Sequence, residues 1–582
     1  MKRWIALFLA LIMAVSMAAC TNASDPAVEN VTTETATAAA EITPADYGFY
    51  NHPADYAGEL PLVQPGEDNK VTIGITVSAN VTDYEDNDFT RWLEEQTGVD
   101  VEFVPFAGSD SDNATQISLM IASGEKLPDI LLKCGIGKAT AREYCQDGYI
   151  IDLGPYLSQY GYYTEQALRL YNPNEEDYNA LTKELMANML SPTDGSVVGY
   201  FTCYENPTDE ILCHQWINQE WLDTLGLEAP RTMDELYDVL VAFRDQDPNG
   251  NGVKDEIPMV GRISNHNDVV QMIINAFTYC FDTYKFTVEN GTVSTPYMTD
   301  EYRQALIFLK KLVDEGLLSP MTWTASAADL KALMNPDDGV YTVGITAIAG
   351  DTAFDQDGQT IFTYAPLAPY AAATEKGGYG VMSGANVSAT TFITADCENP
   401  VLAFKLLDFL SSPEAYLRLR WGVKGVHWDY REDENNEGML GGTARLNIYD
   451  SSMLGGTNNY SWHENVGACS EGYWQYTLDD NATDFDRELY AKLRQQRANY
   501  DAAGMPAEYV HTLARNNEEN DAFQEHNSDL TEYVRTSRSE FCNGLKDPSN
   551  DAEWQNYCDT LLGLGYQESW IDVAQSCYDR TK

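Results

Sequence analysis

Residues 245–258 read Asp-Gln-Asp-Pro-Asn-Gly-Asn-Gly-Val-Lys-Asp-Glu-Ile-Pro. Oxygen donors recur on alternate residues, and the glycines between them permit the sharp turning that wraps a chain around a hard cation such as Ca²⁺. The best register takes Asp247, Asn249, Asn251, the Val253 carbonyl, Asp255 and Glu256 as ligands. It puts Gly252 at the sixth position, where an EF-hand loop has its glycine, but closes two residues early at Glu256. A second register starts at Asp245 and reaches Glu256 as its twelfth residue. The plain alternative is an Asn-Gly turn that binds nothing. The loop follows a helix and lies away from the expected ligand site, so the metal would have a structural role.

Nothing else in the chain has the spacing of a reactive centre. The 11 cysteines form no CxxC pair and have no histidine at metal-ligand distance in sequence, which argues against a zinc site. There are only seven histidines, and G-x-S-x-G, H-E-x-x-H and P-loop motifs are missing. A glycosidase needs only two carboxylates. Among 90 acidic residues such a pair always exists, so it specifies nothing. The expectation is a binding protein with no catalytic residues, not an enzyme.

The 582 residues carry a formal charge of −54, from 90 Asp and Glu against 36 Lys and Arg. That balance opposes nucleic acid and anionic lipid as partners. Hydrophobic residues make up 44%, enough for a sizeable core. Lys2 and Arg3 precede an apolar run over Trp4–Val15, too short to span a bilayer, so the start reads as a secretory signal. Its end, Met17-Ala18-Ala19-Cys20, resembles the bacterial lipobox. Cys20 would then carry lipid and become the first mature residue. A signal over 1–20 and a Thr-, Ala- and Glu-rich flexible tether over 21–69 place the body on the extracellular face of the cytoplasmic membrane, anchored by lipid alone.

The elements that must hold any site begin after the tether. Alternating Val71, Ile73, Ile75 and Val77 predict a strand over 70–78. Phe89, Trp92 and Leu93 predict a helix stopped by Gly98, and Val99–Phe103 a strand ending before Pro105. A helix from about 112 to 122 and a short strand over 128–132 follow. This alternation implies an α/β fold with a parallel sheet, which binds ligands beyond the carboxyl ends of its strands. Further on, Thr232 and Glu235 form a capping box for a helix through Phe243. An amphipathic helix closes at Gly316, strands cover 340–348 and 390–394, and a helix starts at Asn399-Pro400. Residues 430–460 look like loop, and two short helices flank Gly563 and Gly565.

Four stretches carry a resemblance. They are VTIGITV with RWLEEQTGVDVEF and ISLMIASGEKLPDILL; EWLDTLGLEAPRTMDELYDVLVAFRDQDPNGNGVKDEIP; NPVLAFKLLDFLSSPEAYLRLRWGVKGVHW; and LGLGYQESWIDVAQSCYDR. In this order, over most of 70–582, they resemble family 1 extracellular solute-binding lipoproteins of bacterial ABC importers, in particular the long members found beside oligosaccharide permeases. The resemblance implies a two-lobe fold like that of periplasmic binding proteins, with hinge crossings and a ligand cleft between the lobes. The expected division is 70–210 plus 338–405 for the first lobe and 211–337 plus 406–582 for the second. It also favours the Asp247 register of the loop, since related proteins carry that compact Ca²⁺ site.

Sugars present apolar C–H faces and many hydroxyls, so their sites combine aromatic platforms with fixed hydrogen-bonding groups. The candidates at strand ends and crossings are Asn80, Lys133, Tyr204, Glu205, Arg262, Trp421, His427, Trp428 and Trp462. The segment Trp421–Trp428 resembles a cleft loop of the family. The expected activity is capture of an oligosaccharide by hinge closure and delivery by a monomer to the permease transmembrane subunits. The alternatives are a secreted carbohydrate-active hydrolase, a binding protein for peptides or another small nutrient, and a surface adhesin.

Overall fold

In a computed structural model the chain is described over residues 56–581, apart from 65, 67, 192, 206–209, 265–267, 282–284, 349–353, 355–358, 383–385, 432–435, 450–456, 465, 478–482, 511, 512 and 514. The lipobox, Cys20 and most of the expected tether lie outside the described residues.

Ten strands build two sheets: β1 (Lys70–Thr76), β2 (Asp100–Phe106), β3 (Ile130–Leu132), β4 (Tyr200–Glu205), β5 (Gln215–Asn218), β6 (Ile257–Met259), β7 (Val343–Ala347), β8 (Tyr364–Pro366), β9 (Asn386–Ile393) and β10 (Gly467–Ser470). The first sheet has the order β10-β4-β9-β3-β1-β2, the second β8-β5-β7-β6. β1 runs parallel to β2 and β3, as the alternating strands and helices predicted, while β9 runs antiparallel to both β3 and β4. β2 continues through Pro105, which pairs with Ile75. Proline is tolerated there because β2 is the sheet's edge and the missing N–H faces outward.

Each sheet has its own core. Helices Asp88–Thr97, Pro400–Leu410 and Pro413–Trp421 pack Phe89, Leu93, Leu406, Leu410 and Leu419 against Ile73, Ile75 and Ile393 of the first sheet. Helices Met233–Asp245, Asp300–Asp314 and Asn517–Cys542 bury Leu240, Leu309 and Leu530 with Ile217 and Ile345 of the second.

The chain therefore divides differently from the expected boundaries. Residues 343–347 and 364–366 lie within the span assigned to the first lobe, yet they pair with β5 and β6 in the second sheet. Residues 406–421 and 467–470 lie within the span assigned to the second, yet they pack in the first core or pair with β4. Strand partnership is non-local, so local pattern finds a strand without saying which sheet receives it. The first lobe also begins earlier. Leu62 N–H donates to the Thr97 carbonyl at 2.7 Å, Tyr163 Oη–H donates to the Gly58 carbonyl at 2.7 Å, and Val63 is buried, so residues 58–63 are packed chain. Residues 430–460, expected as loop, contain the strand Ala444–Ile448. It pairs with Trp428–Tyr430 and with Gln475–Tyr476.

Candidate functional site

The carboxyl ends of β1, β3, β4 and β10 lie along one edge of the first sheet, where a parallel arrangement presents its loops. Lys133 follows β3 in the left-handed region, at φ +51°. A non-glycine residue held there marks a position over-determined by its surroundings. Thr76 Oγ1–H donates to the Lys133 carbonyl at 2.9 Å, and Asn113 Nδ2 donates to Thr76 Oγ1 at 3.1 Å. Lys133 Nζ meets Glu464 Oε2 at 2.8 Å.

Glu464 belongs to a segment, 457–464, that laces these strand ends together. Asn458 N–H donates to the Asn80 carbonyl at 2.9 Å, and Thr82 N–H to the Asn458 carbonyl at 3.1 Å. Asn458 Nδ2 lies 3.0 Å from His463 Nε2. Burial, and then the Arg420 charge, hold His463 below its usual value, so the ring is neutral near pH 7 and can accept that hydrogen bond. Arg420 Nε–H donates to Glu471 Oε1, just past β10, at 2.6 Å. Tyr460 is 38% exposed and its ring centroid is 4.2 Å from that of His427. Tyr449, more exposed still, donates its N–H to the His427 carbonyl at 2.7 Å.

Of the sequence candidates, Asn80, Lys133 and His427 meet around this segment. His427 is itself buried, with Val423 N–H donating to its Nδ1 at 2.9 Å, so its ring supports Tyr460 from behind. Tyr204, next to last in β4, is half-buried against the cluster of Tyr416, Trp421 and Trp428. Glu205 closes β4, and its side chain is outside the described set. Arg262 is half-buried past β6 in the second lobe and has no hydrogen bond or ion pair to the first-lobe group among the described residues.

The three tryptophans are not platforms. Trp421 and Trp428 are core, packed with Leu446 and Ile448, and Trp428 Nε1–H donates to the Gly422 carbonyl at 2.9 Å. Trp462 is wholly buried, edge-on to Phe89 and Phe103, and donates to Thr90 Oγ1 at 2.8 Å. Glycines around an indole in sequence suggested exposure, but a loop can fold its tryptophan inward whenever the N–H finds a partner. Glu464, Asn458 and Tyr460 are not among the sequence candidates. The Asn-Asn-Tyr-Ser-Trp-His-Glu run itself, dense in sugar-binding residue types, was the available signal.

The 245–258 loop follows the helix Met233–Asp245, as expected. Asp247 and Gly252 take positive φ, +47° and +75°, and Gly252 N–H donates to Asp247 Oδ2 at 3.1 Å, the turn expected of a sixth-position glycine. Two carboxylate oxygens, Asp247 Oδ1 and Glu256 Oε1, are buried without a hydrogen-bond partner. Burial, and then the charges of Asp247 and Asp255, push the Glu256 carboxyl up. Orphaned, mutually repelling oxygens fit a bound cation. Asp245 is turned away into a two-pronged contact with Arg244, at 2.8 Å for each bond, so the geometry favours the register beginning at Asp247. No group of three or more His, Cys, Asp or Glu side chains is gathered for a metal among the described residues. The loop's three carboxylates would need the amides of Asn249 and Asn251 and the Val253 carbonyl. Asn251 Nδ2 now donates to Asp255, at 3.0 and 3.1 Å.

The profile described as bacterial extracellular solute-binding protein matches residues 78–416, more than half of the chain. The chain belongs to that family. Among family relatives, the fructooligosaccharide ABC transporter substrate-binding protein FusA of Streptococcus pneumoniae is 24% identical, covering 89% of this chain and 91% of its own. The polygalacturonan/rhamnogalacturonan-binding protein YtcQ of Bacillus subtilis is 25% identical, covering 58% and 62%. Two solved structures share the fold. An extracellular solute-binding protein from Bifidobacterium longum subsp. infantis superposes with a TM-score of 0.68 at 20% identity, over 89% and 99% of the two chains. An EF-hand mutant of S. pneumoniae FusA, in complex with fructo-nystose, gives 0.63 at 20% identity, over 88% and 99%. Family membership makes this a two-lobe solute-binding protein.

Proposed function

We propose that the chain is the lipid-anchored, extracellular subunit of an ABC importer, and that it captures an oligosaccharide between its lobes and passes it on unaltered. The observation that carries this reading is the group at the first sheet's carboxyl edge. It offers an exposed ring, Tyr460, beside fixed polar groups on Asn80, Lys133, Asn458 and Glu464, the combination a sugar's apolar face and hydroxyls require. The relatives' solutes support the class. They differ in charge, FusA's being neutral and YtcQ's polyanionic. Arg262 and Tyr204 remain candidates from the second lobe and the β4 end.

Three passages of chain, between β4 and β5, between β8 and β9, and between 476 and 484, link the lobes and would serve as hinges. Closure around solute would create the form that docks on the permease subunits, where ATP hydrolysis by other subunits drives transport. Cys20 would bear the lipid and the following residues would act as the tether. Asp247, Asn249, Asn251, the Val253 carbonyl, Asp255 and Glu256 would hold Ca²⁺, a reading supported by the two orphaned oxygens and by the EF-hand in FusA. The ion would supply positive charge that offsets three crowded carboxylates, and the protein's own part is to fix the turn.

Incubating the purified protein with labelled oligosaccharides tests the reading. Binding with the sugar recovered intact is the expected result. Shortened products would point to the hydrolase, and absence of binding across a broad oligosaccharide panel would leave a peptide or another nutrient.

A further inference from the structure

The charge of the solute can be read from the cations at the candidate site. Lys133 is already matched to Glu464, with side chains only 27% and 17% exposed. Arg420 is matched to Glu471 at 2.6 Å. Burial works against the Arg420 charge, but Glu471 outweighs it and holds the guanidinium protonated, above its usual value. At the first crossing Arg497 is held by Glu210 at 2.6 Å and by Asp501 at 2.8 Å.

A carboxylate sugar entering here would have to displace a built-in carboxylate from a partly buried cation. The displaced group would be left charged, poorly solvated and unpaired, which costs more than the new pair returns. A neutral sugar meets no such exchange. The carboxylates of Glu464 and Glu471 keep spare lone pairs for sugar hydroxyls, and the paired cations keep spare N–H groups. The formal charge of −54 adds a long-range field that repels polyanions before they arrive. Arg262 differs, since no carboxylate pairs with it among the described residues. A lone guanidinium can grip a single uronate, not a run of them.

Resting on the oligosaccharide reading above, we infer that the site selects uncharged oligosaccharides and rejects uronate-containing ones through the Lys133–Glu464 and Arg420–Glu471 pairs. Titration calorimetry decides it, using fructo-, xylo- and manno-oligosaccharides alongside oligogalacturonates of matched length. The proteins are wild type, Glu464→Gln, Glu471→Gln and Arg262→Ala, each checked for folding by its melting curve. The expected result is a neutral ligand for wild type and no oligogalacturonate binding. A gain of at least tenfold toward oligogalacturonate should appear in one folded Gln variant, and that gain should weaken as salt is raised. Oligogalacturonate binding to wild type within tenfold of its best neutral ligand overturns the inference but leaves the oligosaccharide reading standing, whether or not Arg262→Ala abolishes it. Folded Gln variants with no gain overturn it too. If no sugar of either charge binds, both the reading and the inference fall.

Discussion

At the scale of single residues, the site rests on a ring that the sequence did not single out. Tyr460 is exposed and braced by His427, whereas Trp428 is buried and hydrogen-bonded within the core. Tyr460→Ala should weaken oligosaccharide binding about tenfold, roughly 1.4 kcal/mol, with an unchanged melting temperature. Trp428→Ala should do the opposite first, costing about 3–5 kcal/mol in urea unfolding. Finding Tyr460→Ala at full affinity would remove the ring from the site. Glu256 gives a prediction of different sign. Its carboxyl is pushed up in the metal-free fold, so the folded state holds its proton more tightly than the unfolded chain does. This contribution to stability is full below the ordinary carboxylate value, and it is lost as pH rises from that value through the raised one. Chelator-treated protein should therefore lose stability over that window, and saturating Ca²⁺ should abolish the loss. Glu256→Gln should flatten the metal-free profile. Thermal melts with and without chelator read all three, and identical profiles would show that the loop holds no cation.

At the scale of elements, what was legible was what is local. The Thr232–Glu235 box, in which Glu235 N–H donates to Thr232 Oγ1 at 3.2 Å and the Glu235 carboxylate takes the Thr232 N–H at 3.2 Å, starts its helix at Met233 as the four residues alone indicate. Alternation in 70–78 and the run at 128–132 found β1 and β3, and with them the edge that carries Lys133. Beyond reach was anything decided by a distant partner. β7 pairs with β5 more than a hundred residues earlier, and Glu464 reaches Lys133 from a distant part of the chain. Neither register nor ion pairing leaves a trace in composition. The turn after β3 shows how tightly such an edge is built. Gly135 sits at φ +76°, and a Cβ there would fall 2.1 Å from the Asp110 carbonyl oxygen. Gly135→Ala should cost about 2 kcal/mol or more, because both the backbone conformation and the approach of helix Asp110–Ser123 are denied to it. Its oligosaccharide affinity should fall as Lys133 moves away from Glu464. Denaturant unfolding and calorimetry on the same sample check both, and a variant of normal stability would mean that the turn relaxes freely.

At the scale of the whole molecule, the question is what holds the lobes together before solute arrives. Away from the crossings, a few polar contacts join them. Arg142, from the first-lobe helix Lys138–Gln146, donates to the Arg515 carbonyl of the second lobe, and Asn517 Nδ2 donates to Gln146 Oε1 at 3.3 Å. Arg494 pairs with Glu437 at 3.0 Å. These contacts are weak by construction. Burial, and then the Arg515 guanidinium, pull Arg142 below its usual value, so the contact brings two like charges together out of water. The charge-assisted hydrogen bond it makes offsets that cost, so the contact adds little on balance. A binding protein needs such balance, because affinity falls by the fraction of time the empty protein is not in the binding-competent arrangement, while a rigidly closed form would shut solute out. Removing Arg142 deletes that bond and the repulsion, together with its longer 3.5 Å bond to the Leu190 carbonyl inside the first lobe. In small-angle scattering, wild type should contract when saturated with its solute. Solute-free Arg142→Ala should give a radius of gyration at least as large as that of solute-free wild type, and the two saturated proteins should coincide. The affinity of the variant should change by less than about tenfold, since only the closure equilibrium is touched and no contact to solute is lost. A wild-type curve that does not change on saturation would mean that the lobes do not close, and capture would then have to occur on a preformed surface at the edge bearing Lys133 and Tyr460.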